Sequence, residues 1–375
     1  MTEVLVIGAG PYGTAVAHEL WRRGVECVAV GEPFALWHNH TLDNMRLRSD
    51  CQASEIYTHD GRYSFAQYLQ QRDLDKSPER DSVKAFRGYL REVVDRLPFD
   101  LLRQRVDHLE RNNGSFRATL SDDTEIEAKA VVVATGLGSH QHTPRGLRSL
   151  PAERLLHSWD TQEIQRLEGK SVLVIGAGQS AAESVASLRG SNRVTWALRH
   201  RPFFCREPLR VPTPVFKTLM FFSRGLYQLP PPLLRTVSKP IFKTTITPSL
   251  KEVFNDHAVQ KVFEDSKDLS LRETSRGLYC GAAGELVDTV VTATGFRFSM
   301  RGLPFFSQGL VDELGGEESA PMLGADFQTK APGLYMVGGI AEPTFGPAMR
   351  FILGSRYTAK RLGAELAGLA RQRAA

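Results

Sequence analysis

The chain is poor in sulfur chemistry. Cys27, Cys51, Cys205 and Cys280 are the 4 cysteines in 375 residues. Their wide spacing disfavours both a zinc site and a disulfide framework, and no C-x-x-C pair offers a redox-active dithiol. Long apolar runs are also missing: none reaches the roughly 18 residues that a membrane span requires. Excess charge of one sign is small, because 47 Lys and Arg stand against 42 Asp and Glu. That balance does not point to nucleic acid. Neither H-E-x-x-H nor G-x-S-x-G occurs, so no metal site or nucleophilic triad is indicated. The first residues show no basic, apolar and small-residue leader pattern, which gives the expectation of a cytoplasmic protein.

What the chain does have is glycine in two similar settings. Val4 to Ile7 read as a buried strand, followed by Gly8, Gly10 and Gly13, a helical stretch from Pro11 to Arg23, and a second strand from Cys27 to Val30. In such a βαβ unit the first glycine permits the tight turn. The second lets backbone approach a pyrophosphate, the third allows helix to pack on strand, and the helix N-terminus faces the phosphates. Glu32 follows the second strand, where a carboxylate can accept hydrogen bonds from a ribose.

The pattern returns at an offset of 168, with Gly176, Gly178 and Ala181 on Gly8, Gly10 and Gly13. Val194 to Leu198 become its second strand, and His200 falls where Glu32 stood. Arg199 and Arg201 flank that histidine and offer cations to a 2′-phosphate, which favours NADP over NAD; the alternative is a solvated basic turn. Two further segments pair up: "AVVVATG" ends in Thr135 and Gly136, and "TVVTATG" ends in Thr294 and Gly295. Each is an apolar strand entering a small turn with backbone room for a cofactor.

The expected fold is therefore α/β, with two Rossmann-type dinucleotide-binding domains, one for FAD and one for NADPH, the second inserted in the first. The boundaries expected are 1–160 plus 285–375 for the FAD-binding domain and 161–284 for the NADPH-binding domain. An irregular insert rich in proline, aromatic and basic residues is expected at about 202–248. A surface excursion, a lid over the substrate or a dimer contact would each account for it.

The double fingerprint with its two ATG turns resembles the class B flavoprotein monooxygenases, among them the flavin-containing and the N-hydroxylating enzymes. "GAGQSAAE" (Gly176 to Glu183) and "DTVVTATGF" (Asp288 to Phe296) resemble the N-hydroxylating branch. "PFALWH" (Pro33 to His38) is similar to that branch's segment near the flavin, and "LLHSWD" (Leu155 to Asp160) to a linker between the two domains. "NMRLRS" (Asn44 to Ser49) and "GPAMRF" (Gly346 to Phe351) resemble urate-hydroxylase-like flavoproteins. Disulfide reductases share the fold but need paired thiols beside the flavin, and this chain has none.

The resemblance implies an FAD monooxygenase that takes hydride from NADPH and oxygenates a small molecule with O2 through a flavin C4a-hydroperoxide. N-hydroxylation of an amine or amino acid stands ahead of carbon or sulfur oxygenation. The alternative is a reductase passing electrons to a quinone or protein without oxygen insertion. A homo-oligomer is compatible with the sequence. Gly8, Gly10, Pro11, Gly13, Glu32, Thr135, Gly136, Gly176, Gly178, Gln179, Ser180, Arg199, Arg201, Thr294 and Gly295 are the expected cofactor-binding residues, joined by Trp37, Met45, Gly338 and Met349. Arg46, Arg48 and Gln52 are the candidate catalytic donors; the alternative is that the arginines pair with Asp43 and Asp50. Arg350 would face flavin or substrate, and His38 and His157 are open to simple capping or core roles.

Overall fold

The computed structural model describes residues 1–205, 229, 230, 233, 236, 246–318 and 320–374. It opens with β1 (Thr2–Ile7), α1 (Pro11–Arg22) and β2 (Cys27–Val30), as the glycine pattern requires. Strand β1 is apolar along its core because it lies between two parallel neighbours with both faces covered. Helix α2 (Val83–Asp95) follows, its start fixed by Ser82, whose hydroxyl accepts from the Ala85 amide. Its apolar face joins Phe34, Phe65, Phe86 and Tyr89 in an aromatic cluster beside the first sheet. That sheet continues through β3 (Leu101–Leu102), β4 (Val106–Asn112), β5 (Ser115–Leu120) and β6 (Glu125–Val133). Its order is β3-β2-β1-β6-β5-β4, with β4, β5 and the first half of β6 antiparallel.

The chain then enters a second sheet through β7 (Leu155–His157), β8 (Ser171–Ile175), α3 (Gln179–Leu188), β9 (Arg193–Ala197) and β10 (Gln260–Val262). An antiparallel flap of β11 (Leu271–Thr274), β12 (Gly277–Cys280) and β13 (Glu285–Val287) leads into β14 (Thr289–Thr292). The order β10-β9-β8-β14-β7 is parallel throughout. Finally β15 (Leu334–Met336) returns to the first sheet beside β6, and α4 (Gly354–Ala374) lies against α1, with Gly363 over the Glu19 side chain.

One architecture thus sits inside the other, and the two repeats are two separate sheets. β7 and β14 hydrogen-bond to each other and β14 to β8, so both strands belong to the second sheet, although they lie in the stretches expected for the first unit. The expected insert lies mostly outside the described residues. Its two ends are joined: the Cys205 amide donates to Ile246 O at 2.9 Å and the Ile246 amide to Phe203 O at 2.8 Å. No helix among the described residues is long and apolar enough to cross a membrane.

The third repeat position shows how tightly each half is built. A Cβ on Gly13 would lie 1.7 Å from the Gly8 carbonyl oxygen, whereas Ala181 carries its methyl fully buried. Gly13→Ala should therefore destabilise by about 3 kcal/mol through overpacking and lower Tm by several degrees. Thermal unfolding of the variant that matches the parent would contradict this packing.

Candidate functional site

The site begins where β1 stops. Gly8 has φ +114°, and a Cβ there would meet the Ala134 carbonyl oxygen at 2.4 Å. The second half repeats this contact: Gly176 has φ +148°, and its Cβ would meet the Ala293 carbonyl oxygen at 2.5 Å. In each half the first glycine of the loop therefore presses on the alanine of the A-T-G turn. Gly10 and Gly178 take equivalent extended conformations and cap α1 and α3. The helix N-termini with their unsatisfied amides point to the same side as those turns.

Around the first cradle is a cavity of about 1080 Å³, at the upper end of the roughly 300–1,000 Å³ typical of cofactor sites. A Cβ on Gly10 or on Gly136, which has φ +73°, would meet no protein atom, so both glycines leave open space beside the cavity. Thr135 also lines the cavity, although its hydroxyl oxygen is buried away from it without a hydrogen-bond partner. These features fit a dinucleotide such as FAD.

The cavity has two unlike ends. One holds Glu32 and Arg103, 3.9 Å apart and both exposed, with Gln104, Arg105, Asp107 and Ser121 nearby. The other is aromatic. Trp159 lies edge-to-face with Phe296 at 5.8 Å and stacks on His40 at 4.0 Å, while His40 Nδ1 contacts the Trp159 carbonyl at 3.1 Å. A Cβ on Gly138 would come within 2.5 Å of the Trp159 ring, so glycine is what admits the indole.

His157 holds this corner. Its Nδ1 accepts from the Trp159 amide at 3.1 Å, which leaves Nε2 to donate to the Gly295 carbonyl at 3.1 Å. Burial lowers its pKa, against the raising effect of the Gly295 bond. His157 is therefore a bracket between the linker and the second A-T-G turn. Thr294 is also engaged, its hydroxyl donating to the His142 carbonyl. Thr135, its counterpart, has no such partner.

Of the residues expected from sequence, Gly8, Gly10, Pro11, Glu32, Trp37, Thr135, Gly136, Gly338, Met349 and Arg350 line the first cavity. Gly13 lies behind it, packed on Gly8. Met45 packs on the aromatic cluster. Arg46, Arg48 and Gln52 lie outside the cavity lining. Arg46 donates to the Pro78 carbonyl at 2.6 Å, and Arg80 pairs with Asp50 at 3.3 Å. Arg350 pairs with Glu342 at 2.6 Å, and burial lowers the pKa of His38. Gly176, Gly178, Gln179 and Ser180 form the second loop, with Ser180 exposed. Arg199 and Arg201 are exposed just past β9, and no ion pair holds either among the described residues.

Sequence reasoning missed Trp159, Phe296, Phe305 and Arg103 as lining residues. The first two lay inside quoted motifs, "LLHSWD" and "DTVVTATGF", and the motif alone did not say which way they point. Arg103 and Phe305 carry no local signal, because the fold brings them in from a loop after β3 and a turn far along the chain.

Residues 5–209 match the family described as "Pyridine nucleotide-disulphide oxidoreductase". A "Probable indole-3-pyruvate monooxygenase" of Arabidopsis thaliana is 28% identical over 204 residues, 51% of this chain and 45% of the relative. A ferredoxin–NADP reductase of Thermus thermophilus is 27% identical over 207 residues, covering 54% of each. The chain thus spans about half the length of the curated relatives it matches. The solved ornithine N-hydroxylase of Kutzneria sp. 744 shares the fold over 99% of this chain and 100% of its own, with a TM-score of 0.75 at 16% identity.

Behind the first A-T-G turn, His140 is buried with both ring nitrogens unpartnered, and desolvation pushes its pKa down to about 4. The unfolded chain, with an ordinary histidine, then binds more protons than the folded one between about pH 4 and 6.5, so stability falls as pH drops through that window. His140→Leu should lose about 2 kcal/mol less stability than the parent between pH 7 and 5, measured by urea unfolding at both pH values. An unchanged acid loss would show that His140 is not the sensitive group.

Proposed function

The chain belongs to the pyridine nucleotide-disulphide oxidoreductase family, and from that premise we propose that it is an FAD monooxygenase reduced by NADPH. The observation that carries this reading is the pair of equivalent cradles, the first open to a cavity that ends in an aromatic wall at the linker to the second. Dithiol chemistry has no support here: no described cysteine lines that cavity, and burial raises the pKa of Cys27 to about 11.

When bound, the two cofactors supply hydride donation, hydride acceptance and oxygen activation. The chain supplies position and dryness. Backbone amides after Gly8 and the N-terminus of α1 hold the pyrophosphate. Glu32 would accept hydrogen bonds from the ribose. Trp159 and Phe296 would exclude water from the aromatic end of the cavity. Arg199 and Arg201 take the 2′-phosphate of NADPH at the second loop.

The substrate is a small molecule together with dioxygen. Nitrogen of an amine or amino acid is the first choice of oxidised atom, on the likeness of "GAGQSAAE" and "DTVVTATGF" to the N-hydroxylating branch. Electron transfer to a quinone or protein is the second reading, favoured by the sequence matches to ferredoxin–NADP reductases.

Two measurements test the proposal. FAD-loaded protein supplied with NADPH, amines and amino acids under ¹⁸O₂ should yield a product carrying one labelled oxygen. Rapid quinone or ferredoxin reduction with no labelled product would overturn the reading in favour of the reductase. Arg199→Ala with Arg201→Ala should raise KM for NADPH by roughly tenfold or more and leave KM for NADH unchanged. An equal effect on both nucleotides would remove the 2′-phosphate role.

A further inference from the structure

The two nucleotide loops are equivalent in backbone but differ in the side chains of their helices, and two of those differences act together. The first has Pro11 and Ala15; the second has Gln179 and Glu183. Pro11 needs no partner to hold the first helical residue, because its ring fixes φ near the helical value. Gln179 has no such constraint, and a free glutamine side chain beside a phosphate-binding loop would be mobile.

The structure shows what restrains it. Gln179 Nε2 donates to Glu183 Oε1 at 2.7 Å and to Thr247 Oγ1 at 3.2 Å, while Gln179 Oε1 accepts from the Thr247 amide at 2.9 Å. Every polar atom of the glutamine head is thereby used within the protein. Glu183 is only 7% exposed and Thr247 only 4%. Burial pushes the Glu183 carboxyl up to about 7, against the pull of the Gln179 bond, so the protein tolerates a carboxyl where water cannot solvate it. Asn44 adds a third strap, its Nδ2 donating to the Glu183 carbonyl at 3.1 Å from the flavin-side segment.

We propose that Glu183 is a positioning residue for NADPH: it holds Gln179 against Thr247 and so fixes the first turn of α3 under the nucleotide pyrophosphate. Gln179 then serves as a latch within the protein, and the second loop obtains from this triad the rigidity that Pro11 gives the first. The inference rests on the assignment of NADPH to that loop. It adds that affinity there depends on a buried carboxyl that does not touch the nucleotide.

The test is NADP⁺ titration of the FAD-loaded full chain by calorimetry, with flavin absorbance and Tm recorded for each variant. Glu183→Ala should weaken NADP⁺ binding roughly tenfold, the cost of one lost buried hydrogen bond. Glu183→Gln keeps an acceptor for Gln179 and should stay within about twofold of the parent. Thr247→Val should weaken binding about threefold, and combined with Glu183→Ala it should add less than its single effect, because both act through Gln179. Flavin content and spectrum should not change.

Parental NADP⁺ affinity in Glu183→Ala, or additive effects in the double variant, would overturn the positioning role while leaving the NADPH assignment intact. If Glu183→Ala does not fold, full parental affinity in Thr247→Val overturns it instead. Absence of NADP⁺ binding by the parent chain would overturn the NADPH assignment and the inference together.

Discussion

Both halves of this protein depend on one close approach: the first glycine of each loop lies where any side chain would collide with the carbonyl of an A-T-G alanine. The distances, 2.4 Å at Gly8 and 2.5 Å at Gly176, are nearly the same. The contact joins the end of β1 to the end of its parallel neighbour β6 in one sheet, and the end of β8 to that of β14 in the other. Those two strand ends, with the helix N-terminus above them, form a crevice at the carboxyl edge of a parallel sheet, where ligands bind in such folds. Positive φ at both glycines makes the requirement conformational as well as steric.

On this common frame the halves have diverged in the polar groups they leave available. Thr135 keeps a buried hydroxyl without a hydrogen-bond partner, whereas the Thr294 hydroxyl is used by the His142 carbonyl. In the first unit Glu32 follows the second strand; in the second unit Arg199, His200 and Arg201 follow it. The backbone is suited to a pyrophosphate in both cases, so the choice between cofactors falls to side chains that surround it. A fold duplicated in this way can discriminate two dinucleotides without altering either loop's path.

The sequence made the cradles readable because each is local. Strand, glycines, helix and second strand fall within some thirty residues, and β2 was expected at Cys27–Val30, where it is found. The A-T-G turns were legible for the same reason. The division between units was less so, since β7 is only three residues long and pairs with β14 far along the chain. Three residues hold too little alternation to reveal a strand, and no local signal tells which sheet it joins. The arginines of "NMRLRS" were attractive as donors because the motif resembles one near a flavin, but side-chain direction is decided by tertiary contacts such as the Arg46 bond to Pro78.

The linker residues connect these separate sites. His157 ties the linker to the second A-T-G turn through Gly295, and Trp159, two residues later, closes the aromatic end of the first cavity. His40 from the first unit stacks on that indole, and Thr161 donates to the Asn39 carbonyl at 3.0 Å. Any rotation of one unit against the other must disturb these contacts together, because they share a five-residue stretch. The aromatic end of the first cavity is therefore built from the same residues that tie the first unit to the second. Cavity wall and link between the units are thus one set of contacts, which gives a physical reason for aromatic residues in a segment that would otherwise need only to connect.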